Sequence, residues 1–449
     1  VIVGDQSEVI AALSRPDMYG PSVATVEQIR THASIVFLAG DRAWKLKRAV
    51  RFPYLDYSTL DLRHRFCQAE VRINRRTAPE IYHGAIPVTR DASGALTLGG
   101  DGTVVEWLVE MTRFDQQALF DHLAATGKLD RFLIEDLADV VAAFHAAADR
   151  RSGGGRRGIQ SVIDGNAKSF RECPPGVLDE QRAATVVAVQ RRLLEQIGPL
   201  LDRRRDEGQV RHCHGDLHLR NIVLHDGRPT MFDAIEFDES IAAIDILYDL
   251  AFLVMDLHHR GLAELACILL NRYLDATGDA AGLAALPLFL SVRAAIRAHV
   301  DAVASARQAE PDTARDLIQG ARRYLDRAED DLRPVAPRLI AIGGLSGTGK
   351  SRLARMLAPG FGRCPGARVV RSDSTRKRLA GVALTTRLDA DGYTHEVTER
   401  TFRAMFDEAG ESLDAGFTVI ADAVFASPAQ RDDIAAVARA GDPVHRSLA

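Results

Sequence analysis

The run Arg338-Leu339-Ile340-Ala341-Ile342-Gly343 leads directly into Gly344-Leu345-Ser346-Gly347-Thr348-Gly349-Lys350-Ser351, and this junction restricts the local fold more tightly than any other stretch. An apolar run followed at once by this glycine-rich octet fits G-x4-G-K-[ST], a loop that requires a strand before it and a helix after it. Gly344, Gly347 and Gly349 let backbone amides wrap a phosphate, Lys350 brings a mobile charge, and Ser351 offers a hydroxyl to magnesium at a helix N-terminus. Residues 338–449 are therefore expected to form an α/β unit around a buried strand. Two strand-like runs supply carboxylates to it. Ala367 to Asp373 is read as a strand ending in Asp373, placed to bind or deprotonate an acceptor hydroxyl. Phe417 to Asp422 is read the same way, with Asp422 as the carboxylate near magnesium. The plainer reading of each is a strand-end Asp capping the next turn. Arg376, Lys377 and Arg378 either hold an anionic substrate or form a solvated helix face.

A second constraint lies upstream, in His214-Gly215-Asp216-Leu217-His218-Leu219-Arg220-Asn221. Its spacing suits phosphoryl transfer: an Asp orients a hydroxyl and takes its proton, and an Asn five positions on reaches a magnesium bound to ATP. Asn occurs only four times in the 449 residues, so an accidental Asn at that offset is improbable. Further on, Thr230-Met231-Phe232-Asp233 reads as a strand ending in a carboxylate. Asp233 is expected to complete a magnesium site with Asn221, since hard cations favour oxygen ligands, while Glu236 and Asp238 compete for that role.

Such a site needs a lysine on a strand, paired with a glutamate on a helix, to hold the α- and β-phosphates. Ala43-Trp44-Lys45-Leu46-Lys47 places two lysines on one strand face, in a chain with six lysines among 57 basic residues. Keeping Lys twice where Arg dominates suggests a demand that guanidinium does not meet, against the alternative of two solvated lysines on an edge strand. Lys45 is the first choice and Lys47 the reserve; Glu70, in the helical stretch Leu60 to Arg76, is the expected partner. No G-x-G-x-x-G precedes the lysine strand, and Thr31-His32-Ala33-Ser34 stands where that loop would be.

Length fits two or three domains, each with its own core, and the patterning marks two. A small β-rich lobe, about 30–112, and a helical lobe, about 113–333, make up residues 1–333. An acidic, proline-punctuated linker, Glu329 to Pro337, precedes the second domain. Arg151 to Arg157 is read as a flexible surface connection, because no strand leads into its glycines. The net charge of -4 gives no basic footprint for nucleic acid. The apolar stretch Ile241 to Leu257 contains three Asp and is read as a buried helix, so no membrane partner is expected. Five scattered cysteines without C-x-x-C spacing suggest free thiols in a reducing compartment, and a cytoplasmic location is the expectation. His212-Cys213-His214 is a poor zinc cluster, since on a strand Cys213 points away from both histidines.

These motifs carry two resemblances. Residues 30–330 resemble the aminoglycoside phosphotransferase-like branch of the protein-kinase-like fold, on the strength of His214, Gly215, Asp216, Asn221 and Asp233, and of Asp249-Leu250-Ala251 on the helix that follows. That branch often lacks the glycine loop. The resemblance implies an α+β bilobal domain, with Asp216 as catalytic base and Asn221 and Asp233 as magnesium ligands. Residues from 338 on resemble P-loop small-molecule kinases of the gluconate-kinase and zeta-toxin type, and the pair resembles bacterial fusion proteins of that composition. Such domains continue through a lid helix and a final strand, so a truncated or degraded second domain is expected here. The expected activity is transfer of phosphate from ATP, with Mg2+, to a hydroxyl or amine of a small molecule. One alternative places transfer at the P-loop domain, with the first domain regulatory; another is a non-catalytic ATP-sensing protein. The acceptor and the oligomeric state stay open.

Overall fold

The computed structural model describes residues 2–52 and 55–440, so the expectation about where the second domain ends falls partly outside the described residues. Two compact units emerge, Val1–Lys128 with His214–Ala243, and Leu129–Cys213 with Ile244–Ala449.

In the first unit, strands β1 (Val26–Arg30), β2 (Ser34–Ala39) and β3 (Arg42–Lys47) precede helix α1 (Leu60–Asn74). Strands β4 (Tyr82–Arg90), β5 (Leu96–Leu98) and β6 (Thr103–Thr112) complete an antiparallel sheet in the order β1-β2-β3-β6-β4-β5. A two-strand ribbon, β7 (Ile222–His225) and β8 (Arg228–Met231), belongs to the same unit. Thr59 starts α1 by accepting the Leu62 N–H, one of the donors a helix start leaves without a partner. Period-two alternation sorts β2 and β3. Ile35, Phe37, Trp44 and Leu46 pack with Leu13, Val88 and Leu108, while Leu38 and Ala43 pack on the opposite face with Cys67 and Val71 of α1.

The second unit begins with helices α2 (Arg131–Ala147), α3 (Glu180–Asp206), α4 (Ile246–His259), α5 (Ala263–Thr277), α6 (Leu286–Ser305) and α7 (Pro311–Asp330). One helical stretch among the described residues, Ala280–Ser305, is long and apolar enough to cross a membrane, and most of it is buried within the protein. The stretch Ile241 to Leu257 is not one helix as expected. Ala243–Asp245 is extended, and α4 starts afresh because the Asp245 carboxylate caps it through the Leu247 N–H while also holding Arg204. The glycine run at 151–157 is likewise only partly a connection, since a helix already begins at Gly155.

The remainder of this unit comprises β9 (Leu339–Ile342), α8 (Lys350–Leu357), β10 (Arg368–Arg371), α9 (Ser372–Leu379), α10 (His395–Asp414) and β11 (Val419–Asp422). The three strands are parallel, in the order β9-β11-β10. Two expectations change here. β9 is an edge strand among the described residues and only half-buried, because β11 takes the centre. β10 ends at Arg371, so Asp373 stands in the first turn of α9 rather than at a strand end.

Candidate active site

The alternation of β3 sends Lys45 and Lys47 to the face covered by α1, where Glu70 is fully buried. Lys45 Nζ donates to Glu70 Oε1 at 2.7 Å and to Asp233 Oδ1 at 2.6 Å. Lys47 Nζ donates to the other Glu70 oxygen at 2.6 Å and to Glu236 Oε1 at 2.5 Å, and the Tyr57 hydroxyl donates to that same Glu236 oxygen at 2.7 Å. One carboxylate thus serves two ammonium groups. Burial opposes the charge of Lys45, yet Asp233 and Glu70 outweigh it and hold the lysine well above its ordinary value. For Lys47 burial is outweighed by Glu236 and Glu70, and for Glu70 by Lys45 and Lys47, which hold it well below the usual carboxylate range. The two lysines differ in access. The Lys45 side chain is 14% exposed and that of Lys47 only 1%, so a ligand reaches the first and not the second.

The loop after Cys213 is tied to the segment after β8. His214 Nε2 donates to the Phe232 carbonyl at 2.9 Å, and the Ile235 N–H donates to the His214 carbonyl at 3.1 Å. Gly215 has a φ of 84°, and a Cβ there would meet Ile235 at 3.0 Å, which accounts for glycine beside Asp216. Asn221 Nδ2 donates at 3.0 Å to both the carbonyl and Oδ2 of Asp216, so the Asn221 amide oxygen is left for another partner. Asp233 lies two residues past β8 rather than at its end, in the left-handed region at φ 59°. Such a conformation is uncommon outside glycine and needs support from its neighbours. That support comes from Tyr82, whose hydroxyl accepts the Asp233 N–H at 3.1 Å, and from Asn74, whose Oδ1 accepts the Ala234 N–H at 2.8 Å. Asn74 also donates to the Glu70 carbonyl, linking α1 to the same turn.

Lys45, Glu70, Asp216, Asn221 and Asp233 therefore all fall within the first unit, with Lys47 beneath Lys45. Glu236, a competitor for the metal role, is engaged by Lys47 and Tyr57. The Thr31 hydroxyl, placed by sequence where a glycine loop would be, is used within its own turn by the Ser34 N–H at 2.9 Å. Tyr57, Tyr82 and Asn74 were not foreseen. The scarcity of Asn marked Asn74 as well as Asn221, and that signal was available. His212 and His214 do not converge, since His212 Nδ1 faces Arg151 at 3.2 Å. Cys213 instead groups with His145 and Asp249, where both His145 nitrogens already have protein partners, Tyr273 and Asp249.

The second constellation lies along the ends of β9 and β11. Ile342 and Arg371 both register with Asp422. Ser351 Oγ donates to Asp422 Oδ2 at 2.5 Å, and Lys350 Nζ donates to the Leu345 carbonyl at 2.6 Å on an exposed loop. Gly344, Gly347 and Gly349 all have positive φ. Asp373 pairs with Lys377 at 2.9 Å one turn along α9. The basic triplet has protein partners throughout: Arg376 donates to the Gly392 carbonyl, Lys377 to the Leu384 carbonyl, and Arg378 to Glu408.

A family model described as phosphotransferase enzyme family matches residues 60–286, more than half of the chain. The chain belongs to the phosphotransferase enzyme family. A second family model, an AAA domain, matches residues 339–446. This phosphotransferase accordingly has its family domain over 60–286, followed by a P-loop domain over 339–446. Uncharacterized proteins of Mycobacterium tuberculosis and Mycobacterium bovis are 29% identical to it over 416 residues, covering 89% of this chain and 78% of theirs. Among solved structures, a choline/ethanolamine kinase family protein from Mesorhizobium loti has a TM-score of 0.42 at 16% identity, covering 72% of this chain and 98% of its own. A thermostable mutant of an aminoglycoside phosphotransferase has a TM-score of 0.41 at 14% identity, covering 68% and 95%.

Proposed function

We propose that the phosphotransferase domain moves the terminal phosphoryl group of ATP to a hydroxyl or amine of a small molecule. The observation that carries this reading is Lys45 bridging Glu70 and Asp233 in the same unit as the Asp216–Asn221 pair. Asp216, held by Asn221 and with its side chain 41% exposed, accepts the acceptor's proton as the oxygen or nitrogen attacks. Lys45, kept charged and positioned by Glu70, binds the α- and β-phosphates. Asn221 and Asp233 suit magnesium, because their available donor atoms are an amide oxygen and a carboxylate, and that ion supplies neutralisation of the phosphate charge. Lys47 and Glu236 hold Glu70 and the turn after β8 in place without touching substrate.

A second reading places another nucleotide at Gly344–Ser351, supported by the Ser351–Asp422 bond that pairs a loop hydroxyl with a strand-end carboxylate. Comparing two variants across a metabolite panel separates the sites. Asp216→Ala is expected to lower ATP-dependent transfer by about 10³-fold or more with ATP affinity at the first site retained, while Lys350→Ala leaves that transfer within a few-fold of wild type. The opposite ranking would move the chemistry to the P-loop domain. Tight ATP binding with no acceptor phosphorylated across the panel would favour an ATP-sensing role.

A further inference from the structure

Helices α2, α5 and α8 and strand β10 line a half-open cavity of about 130 Å³, well above the roughly 10–15 Å³ that one water needs. Its charged lining is unbalanced. Four guanidinium groups, Arg131, Arg272, Arg355 and Arg371, face two carboxylates, Glu135 and Asp275. Two of these six are already satisfied elsewhere, since Arg272 pairs with Asp139 at 2.6 Å and Asp275 with Arg368 at 2.6 Å. Three arginines and one carboxylate remain. Among the described residues neither Arg131 nor Arg355 has a carboxylate within ion-pair reach. Arg371 comes only within 3.6 Å of Asp422, and its buried Nε has no hydrogen-bond acceptor among the described residues. Burial, then repulsion from Arg371 and Arg131, pulls Arg355 below its ordinary value. Like charges converging in a partly buried space are unfavourable unless an anion joins them, and guanidinium forks match the oxygens of phosphate.

We propose that this cavity binds a small oxyanion of the phosphate class, held by Arg131, Arg355 and Arg371. The site is separate from the transfer site of the first unit and does not depend on the activity assigned there. It is linked to the P-loop. Arg371 approaches the same Asp422 oxygen that accepts the Ser351 hydroxyl, so an anion that engages Arg371 alters the environment of that carboxylate.

The test is calorimetric titration of the full chain with inorganic phosphate and, separately, with glycerol phosphate, for wild type, Lys350→Ala, Arg355→Gln and Arg131→Gln. The expected result is binding in wild type and in Lys350→Ala, weakened tenfold or more in each arginine variant. Without phosphate, Arg355→Gln is expected to melt at or above the wild-type temperature, because it relieves repulsion; an arginine serving only as structure would lower it. Preference for the free ion or for the monoester identifies the source of the phosphate. Binding that survives when each arginine change is combined with Lys350→Ala, or that disappears in Lys350→Ala alone, overturns the proposal.

Discussion

The two lysines proposed to hold phosphate, Lys45 and Lys350, are built in opposite ways. Lys45 is largely buried, shared between carboxylates from α1 and from the turn after β8, and its site draws on residues far apart in sequence. Lys350 opens α8, bonded to a carbonyl of the exposed loop five residues back, and its site is contained in one short run apart from Asp422. A distributed site depends on the whole unit folding correctly, whereas a contiguous one depends on local backbone conformation. Substitutions should therefore cost stability at the first site and much less at the second.

The sharpest way to break that contrast is Glu70→Ala. Removing the carboxylate leaves two buried ammonium groups with one carboxylate each, Asp233 for Lys45 and Glu236 for Lys47. The expected loss is about 3–5 kcal/mol, the usual consequence of deleting one member of a buried charge network. Ser351→Ala, which deletes only a hydroxyl donor to Asp422, is expected to cost about 1 kcal/mol. Urea denaturation of both variants measures the difference, and near-equal midpoints would mean that the two sites are equally local.

The same contrast explains what was legible in the sequence. The Gly344–Ser351 loop could be read complete, because its conformation, charge and hydroxyl are specified by neighbours in the chain. The loop from His214 to Asn221 was legible as well, and so was the choice of Lys45, Lys47 and Glu70 from residue type and strand face. The division of labour between the lysines was not. It depends on Glu236 and Tyr57 reaching Lys47, contacts that no local pattern encodes. The position of Asp233 was misread for a related reason: strand propensity extends β8 to it, but Tyr82 and Asn74 hold the backbone in a left-handed conformation that ends the strand earlier. β9 was expected to be buried from its apolar content, and it is half-exposed because edge or centre is decided by strand order.

Glycine replacements sharpen the comparison at a smaller scale. Gly215→Ala meets both a positive φ and the Ile235 side chain at 3.0 Å, so a loss of about 1–3 kcal/mol is expected. Gly347→Ala has a similar φ of 80° but nothing among the described residues within 4 Å of the new Cβ, and about 1 kcal/mol of backbone strain is the expected cost. Calorimetric melting of the two variants checks the order. A greater loss for Gly347→Ala would show that the exposed loop is more constrained by its surroundings than its open packing indicates.

The smallest effect contrasts two buried carboxylates, one in each unit, by pH. Glu70 is held below its ordinary value of 4.5 by its lysines, so its stabilisation is complete above that pH and is lost as the pH falls toward about 2. Asp331, just after α7, behaves in the opposite sense. Burial pushes its carboxyl up to about 7 against the pull of Arg327, whose Nη1 lies 3.7 Å away. The folded chain therefore binds this proton more tightly than the unfolded chain, whose ordinary value is 3.8. That contribution is fully present below about 3.8 and is lost as the pH rises through about 7. Asp331→Asn has no proton to release, so the variant should match wild type near pH 4 and exceed it at pH 8 by on the order of 1 kcal/mol, since relaxation and water entry around the ionised carboxylate soften the penalty of burial. Calorimetry at the two pH values decides the matter. An offset of the same size at both would show that Asp331 titrates as an ordinary carboxylate, and a destabilised variant at pH 8 would show that Arg327 outweighs burial.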